Sequence, residues 1–169
     1  NVTAIDNDDY ATTGEAASLD CAAKRITGKC LVAYGDILFR RYILDLLSSA
    51  SGDIVVAADA LWRERIGETA GRVRDLVKAS RPFSPKFLDD GPVVLHRMGS
   101  DLAPAQADGE WVGLAMLSPK GSDLVRAELD AMRADGTLAS AGLPELFTRI
   151  ADRGHAVNVV YVAGHWLDV

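Results

Sequence analysis

Asp53-Ile54-Val55-Val56-Ala57-Ala58 decides the fold class of this 169-residue chain. After its single acid the run is continuous in small and β-branched apolar residues, the composition of a strand covered on both faces. Val157 to Val162 repeats the pattern near the other end, within a strand-like run from Ala156 to Ala163. Working outward, Cys30 to Tyr34, Pro92 to Arg97 and Trp111 to Leu117 also read as strands. Between them, Glu15 to Ile26, Ile37 to Leu47, Asp123 to Arg133 and Pro144 to Asp152 carry apolar residues at helical spacing, with Leu124, Val125, Leu129 and Met132 on one face. Strands alternating with helices predict an α/β layered domain, single over residues 1–169, rather than a sandwich or bundle. Gly28, Gly136 and Gly154 stand where helices should end in left-handed caps. A further helix is expected from Ala70 to Ala79, then an extended excursion through Pro82 and Pro85, and a polar loop over residues 100–109.

Composition narrows the function. Hydrophobic residues at 49% and charged residues at 25% are globular proportions, which excludes disorder. Eighteen basic against 24 acidic side chains leave a net charge of -6, and without a long basic run a nucleic-acid partner is not expected, because such binding draws on clustered Lys and Arg. The apolar runs are too short to span a bilayer and no basic region followed by an apolar stretch opens the chain, so no membrane partner is expected either. Cys21 and Cys30 lack ligand spacing and read as buried thiols, in keeping with a reducing cytoplasm. A start at Asn1 and a stop just after a strand-like run suggest a piece of a longer polypeptide.

Two short segments carry chemistry. Tyr34-Gly35-Asp36 closes an apolar strand, and ligands in α/β sheets bind at the carboxyl ends of strands; the alternative is that Asp36 only caps a helix starting at Ile37. Gly164-His165-Trp166-Leu167-Asp168 ends another strand and offers a second carboxylate. Two acids at one sheet edge suit Mg²⁺ on a nucleoside triphosphate, since Mg²⁺ takes one or two carboxylates and completes its shell with phosphate oxygens and water.

Asn7-Asp8-Asp9-Tyr10-Ala11-Thr12-Thr13-Gly14-Glu15-Ala16-Ala17-Ser18-Leu19, Tyr34-Gly35-Asp36, Gly109-Glu110-Trp111-Val112-Gly113-Leu114 and Gly164-His165-Trp166-Leu167-Asp168 follow one another in an order that resembles the nucleotidyltransferases acting on sugar phosphates, phosphocholine or phosphonates. Within them the chain looks most like the cytidylyltransferase domain fused behind phosphoenolpyruvate mutase in fosfomycin biosynthesis. The resemblance implies a Rossmann-like fold with a mixed, mainly parallel central sheet flanked by helices, and transfer of CMP from CTP to a small phosphonate, 2-hydroxyethylphosphonate, with Mg²⁺ as cofactor. It places Asp36 and Asp168 as the catalytic, metal-binding pair. Gly14, Glu15, Ser18 and Tyr34 fall at the nucleotide, and Glu110, Trp111 and Gly113 border the acceptor. The same chemistry on 2-aminoethylphosphonate or phosphocholine, and a non-catalytic nucleotide-binding module, are the alternatives; for an amine, Glu110 with Trp111 offers an anionic or aromatic pocket. The family's Gly-rich triphosphate loop has no counterpart before Asn1.

Cations must then meet the phosphonate, and Arg97 and Lys86 are preferred to the pairs Arg40/Arg41 and Arg63/Arg65, most lone Lys and Arg being simply solvated. His96 and His155 read as structural or rim residues, with His165 the exception beside the acceptor. Trp62, Trp111 and Trp166 could stack on a base, but an aromatic buried in the core is the default.

Overall fold

The computed structural model describes residues 2–65, 72–86 and 91–169. Helix α1 (Glu15–Cys21) leads through a 3₁₀ turn to β1 (Cys30–Ala33), β2 (Ile37–Phe39), α2 (Arg41–Ser49) and β3 (Ile54–Asp59). A second 3₁₀ turn (Trp62–Arg65) precedes β4 (Leu76–Ala79) and β5 (Leu95–Gly99). Then come β6 (Gly109–Leu117), α3 (Pro119–Asp135), α4 (Leu143–Asp152), β7 (Val157–Val162) and β8 (Trp166–Asp168). The main sheet runs β5-β4-β6-β3-β7, with β1 also paired to β6, while β2 and β8 form a separate two-stranded ribbon.

The α/β class and the mixed sheet are as expected. The expectation of a mainly parallel sheet is corrected: among the described residues β3 and β7 are parallel, and the other four pairings of the main sheet are antiparallel. The cause is β6, which runs antiparallel to β3 on one side and to β1 and β4 on the other. All nine of its residues are buried, as are all six of β3, so the continuous apolar runs do report two covered faces. One cluster packs α3 and α4 against Ile54, Val56, Trp111 and Val157. The opposite face packs Ile43 and Leu47 of α2 against Val55, Ala57, Val112 and Leu114. Strand alternation thus sends successive residues of β3 into different cores.

Local expectations fared unevenly. Helix α3 begins where Ser118 Oγ accepts the Gly121 N–H and ends at Gly136, whose φ of 81° is the left-handed cap. Residues 37–39 are a strand rather than a helix start, paired with β8 from the far end of the chain. The helix expected from Ala70 to Ala79 is not formed: residues 70 and 71 lie outside the described residues, and Leu76–Ala79 is a strand between β5 and β6. Cys21 is exposed and Cys30 half-buried, which corrects the reading of both as buried thiols. Among the described residues no helix is long and apolar enough to cross a membrane.

Candidate functional site

Tyr34, Gly35 and Asp36 form the turn that carries the chain from β1, in the main sheet, to β2, in the ribbon. This excludes the helix-cap reading of Asp36, because α2 starts five residues later and its N-cap is Arg40. Pairing of β2 with β8 sets Ile37 opposite Asp168, and the Val169 N–H donates to the Asp36 carbonyl at 3.0 Å. Two carboxylates separated by most of the sequence therefore meet on one cleft of about 1040 Å³. Glu15 at the start of α1, Tyr34, and Arg97 on β5 line the same cleft.

The cleft floor is built from partly buried polar groups. The Tyr34 hydroxyl donates to Asp75 Oδ2 at 3.2 Å. Burial, then the nearby Asp75 charge, hold the Tyr34 phenol far above its ordinary range, so it acts as a donor and not as an anion. Burial likewise raises the Asp75 carboxyl, against the opposing pull of the Tyr34 hydrogen bond. The Tyr34 ring meets Trp111 edge-on at 5.0 Å, and Trp111 meets Phe147 at 5.7 Å, which ties the cleft floor to the core.

Asp36 is exposed and Asp168 half-buried. Asp168 Oδ2 accepts from Arg72 Nη1 at 2.6 Å, while Oδ1 has no hydrogen-bond partner among the described residues. The donor set fits Mg²⁺ in kind and number: hard oxygen ligands from two side chains, on an open cleft with room for phosphate oxygens. Among the described residues no group of three or more His, Cys, Asp or Glu could hold a metal, so oxygens from outside the protein, phosphate or water, would complete the shell.

Other expected site residues lie elsewhere. Glu110 is 3% exposed and ion-paired to Arg72 and, at 3.6 Å, to Arg74; it cannot touch an acceptor because those guanidiniums cover it. Trp111 is 3% exposed and donates its Nε1–H to the Leu114 carbonyl at 3.0 Å. All three tryptophans are buried, the default reading for them. Gly113 lies under Tyr34, where a Cβ would come 2.7 Å from the ring, so it shapes the cleft without lining it. Gly14 caps α1 against the Ala141 carbonyl, 2.2 Å from where its Cβ would stand. Ser18 accepts from Asn7 Nδ2 at 3.0 Å and lines a different, smaller depression. Lys86 is exposed and lies outside the cleft lining. His165, with a φ of 64°, faces the Tyr42 hydroxyl at 3.2 Å on the ribbon. Arg97, in the cleft, is ion-paired with Asp101.

Sequence reading missed the charged cluster behind Asp168. Asp59, fully buried at the end of β3, accepts from the Leu61 and Gly164 backbone N–H groups, from Arg65 Nη1 and from Trp166 Nε1. Register places Glu110 beside Asp59. Arg65 and Arg72 both pack on the Trp166 ring, at 4.8 and 5.0 Å from its centre. The available signal was an acid closing an otherwise apolar strand in Val56-Ala57-Ala58-Asp59.

No protein-family model and no curated protein matches the chain. Solved structures do. The chain is similar to the inositol-1-phosphate CTP transferase of T. maritima, with a TM-score of 0.66 and 14% identity over 96% of this chain and 58% of that one. It is similar to the CTP:phosphocholine cytidylyltransferase of Streptococcus pneumoniae, with a TM-score of 0.62 and 12% identity over 96% and 61%. A UTP-bound UGPase from Acinetobacter baumannii aligns with a TM-score of 0.61 and 15% identity over 92% and 51%. The chain thus has the fold of these nucleotidyltransferases and spans less than two thirds of the length of each.

Proposed function

We propose that this chain is a nucleotidyltransferase domain that moves CMP from CTP to a small phosphonate, 2-hydroxyethylphosphonate, and releases pyrophosphate. The carrying observation is the convergence of Asp36 and Asp168 on one cleft from opposite ends of the chain. A phosphonate oxygen attacks the α-phosphorus of CTP; the new P–O bond forms as the bond to the bridging oxygen breaks, and pyrophosphate leaves with that electron pair. The nucleophile is already anionic near neutral pH, so positioning and charge neutralisation suffice without a general base. Asp36 and Asp168 would hold Mg²⁺, which when bound offsets charge at the α-phosphate. Tyr34 and Asp75 shape the cleft floor, and Arg97 is the cleft cation nearest in kind to what a phosphonate needs.

A second reading of the acceptor rests on the cleft's own charge. Glu15, Asp75, Asp101, Glu145 and Asp152 line it together with the metal pair, against Arg97 and Arg149. Both arginines are already paired, Arg149 with Glu128 at 2.7 Å and Asp135 at 2.6 Å. Such a surface favours an acceptor that carries an ammonium beside its phosphonate or phosphate. Tyr34 and Asp75 then take the role first given to Trp111 and Glu110.

Pyrophosphate release with CTP and Mg²⁺ across 2-hydroxyethylphosphonate, 2-aminoethylphosphonate, phosphocholine and glucose 1-phosphate tests both readings. The first expects the hydroxy acceptor to be fastest; fastest release with an amine moves the assignment to the second. Asp36→Asn or Asp168→Asn should nearly abolish release with the fold intact. Nucleotide binding without turnover on any acceptor would leave a non-catalytic module.

A further inference from the structure

We propose that Arg72 is a two-position residue, which covers Asp168 while the cleft is empty and turns to the triphosphate when a divalent cation takes that carboxylate. The inference rests on the nucleotidyltransferase reading. Its ground is the unequal hold of the two ends of one guanidinium. Arg72 Nη2 donates to Glu110 Oε1, whose side chain is 4% exposed, whereas Nη1 donates at 2.6 Å to Asp168 Oδ2, whose side chain is 28% exposed at the cleft rim. A pair removed from water is costly to break, and one at the rim is weak. The Asp168 end is therefore the one that lets go, with Glu110 and the Trp166 ring as the pivot.

Charge gives the motion its direction. Arg65, Arg72 and Arg74 crowd around Asp59, Glu110 and Asp168. Burial, then the like charges of Arg72 and Arg65, lower the proton affinity of Arg74, as expected where guanidiniums are packed together. A cation on Asp168, at its open Oδ1 or beside Oδ2, sets like charge next to Nη1 and adds to the positive charge already there. Phosphate oxygens arriving with the cation are the natural partner for the displaced guanidinium, because its flat fork matches them two donors at a time. The arrangement also meets a need of the proposed reaction, a cation for the phosphates of the nucleotide. In the free protein, Arg72 would thus keep Asp168 neutralised until the nucleotide arrives.

The signature is a reversal of sign between two ligands. Titration of the free protein with Mn²⁺, followed by electron paramagnetic resonance, should show Arg72→Ala binding the ion about tenfold more tightly than wild type, since the competing guanidinium is gone. Asp168→Asn should lose that binding. Calorimetry with CTP and Mg²⁺ should show the reverse, Arg72→Ala binding about tenfold more weakly. Arg72→Lys, which keeps a charge beside Glu110, should fall between the two in both titrations and serves if Arg72→Ala does not fold. A residue that merely supports the fold would weaken both ligands together. Mn²⁺ affinity unchanged or reduced in folded Arg72→Ala, or in Arg72→Lys if only that variant folds, would overturn the proposal, as would unchanged CTP affinity. Absence of transfer by the wild-type chain to every acceptor would instead sink the catalytic reading, and the Mn²⁺ titration would still report on the Arg72–Asp168 pair.

Discussion

Gly113→Ala should destabilise the protein by about 3 kcal/mol, and the figure follows from its surroundings. Gly113 has a φ of 80° inside β6, and an L-residue held in the left-handed region costs about 1–2 kcal/mol. A Cβ there would stand 2.7 Å from Tyr34 Cδ2 and 3.1 Å from Ile37 Cγ1. The Tyr34 ring would have to retreat about 0.7 Å to reach ordinary contact at 3.4 Å, yet Trp111 packs against it and the Asp75 hydrogen bond holds its hydroxyl. Overpacking of this kind adds about 1–3 kcal/mol, while the lower freedom of the unfolded Ala chain returns about 0.4–1. Thermal melting should show the loss as a fall of about 6–12 °C in Tm for a domain of this size. A double-mutant cycle with Tyr34→Ala isolates the steric part, which should appear as a favourable coupling of about 1 kcal/mol or more. A Gly113→Ala protein melting within a degree of wild type would refute the reasoning, because neither the φ nor the ring contact would then constrain the strand.

Asp59→Ala should cost about 3–5 kcal/mol in denaturant melts, since it leaves Arg65 without its buried carboxylate and strips the Trp166 Nε1–H of its acceptor. Ser118→Ala, which removes the α3 N-cap, should cost about 1 kcal/mol by the same measurement. Asp75→Asn should raise Tm at pH 7 and lose that advantage in acid. Burial raises the native Asp75 pKa above its unfolded value, so the stability tied to its protonated form is fully present below the unfolded pKa and is lost as pH rises through the native one. Melts from pH 3 to pH 7 check the sign; an Asn variant less stable than wild type at pH 7 contradicts it.

The legible parts of the fold were those whose residues answer to local rules. Ile54 to Ala58 and Val157 to Val162 announced themselves because β-branched apolar residues without polar interruption have one common use, a strand with both faces covered. Ser118 and Gly136 bracket α3 for equally local reasons, a hydroxyl for an unpaired N–H and a missing Cβ for a left-handed cap. Ile37-Leu38-Phe39 misled because helical spacing and a three-residue strand cannot be told apart without the partner, and that partner, Trp166–Asp168, lies at the far end of the chain. Leu76-Val77-Lys78-Ala79 misled in the same way, its pairing to β5 and β6 overriding a weak helical period.

The candidate site divides along the same line. Asp36 and Asp168 could be singled out in the sequence because a carboxylate just past a strand has a position that local pattern reveals. Burial is different, since it depends on what packs from elsewhere. Glu110 and Asp168 look alike as acids in or beside strands, yet Glu110 lies within the central strand under two arginines and Asp168 closes a ribbon at the rim. Arg72, the side chain that joins them, gave no signal at all in its own neighbourhood. Sequence alone thus determined the layered α/β class and singled out two carboxylates that line one cleft. The tertiary structure decided which charges face the cleft and which are neutralised behind it, because desolvation and ion pairing are set by residues distant in the chain.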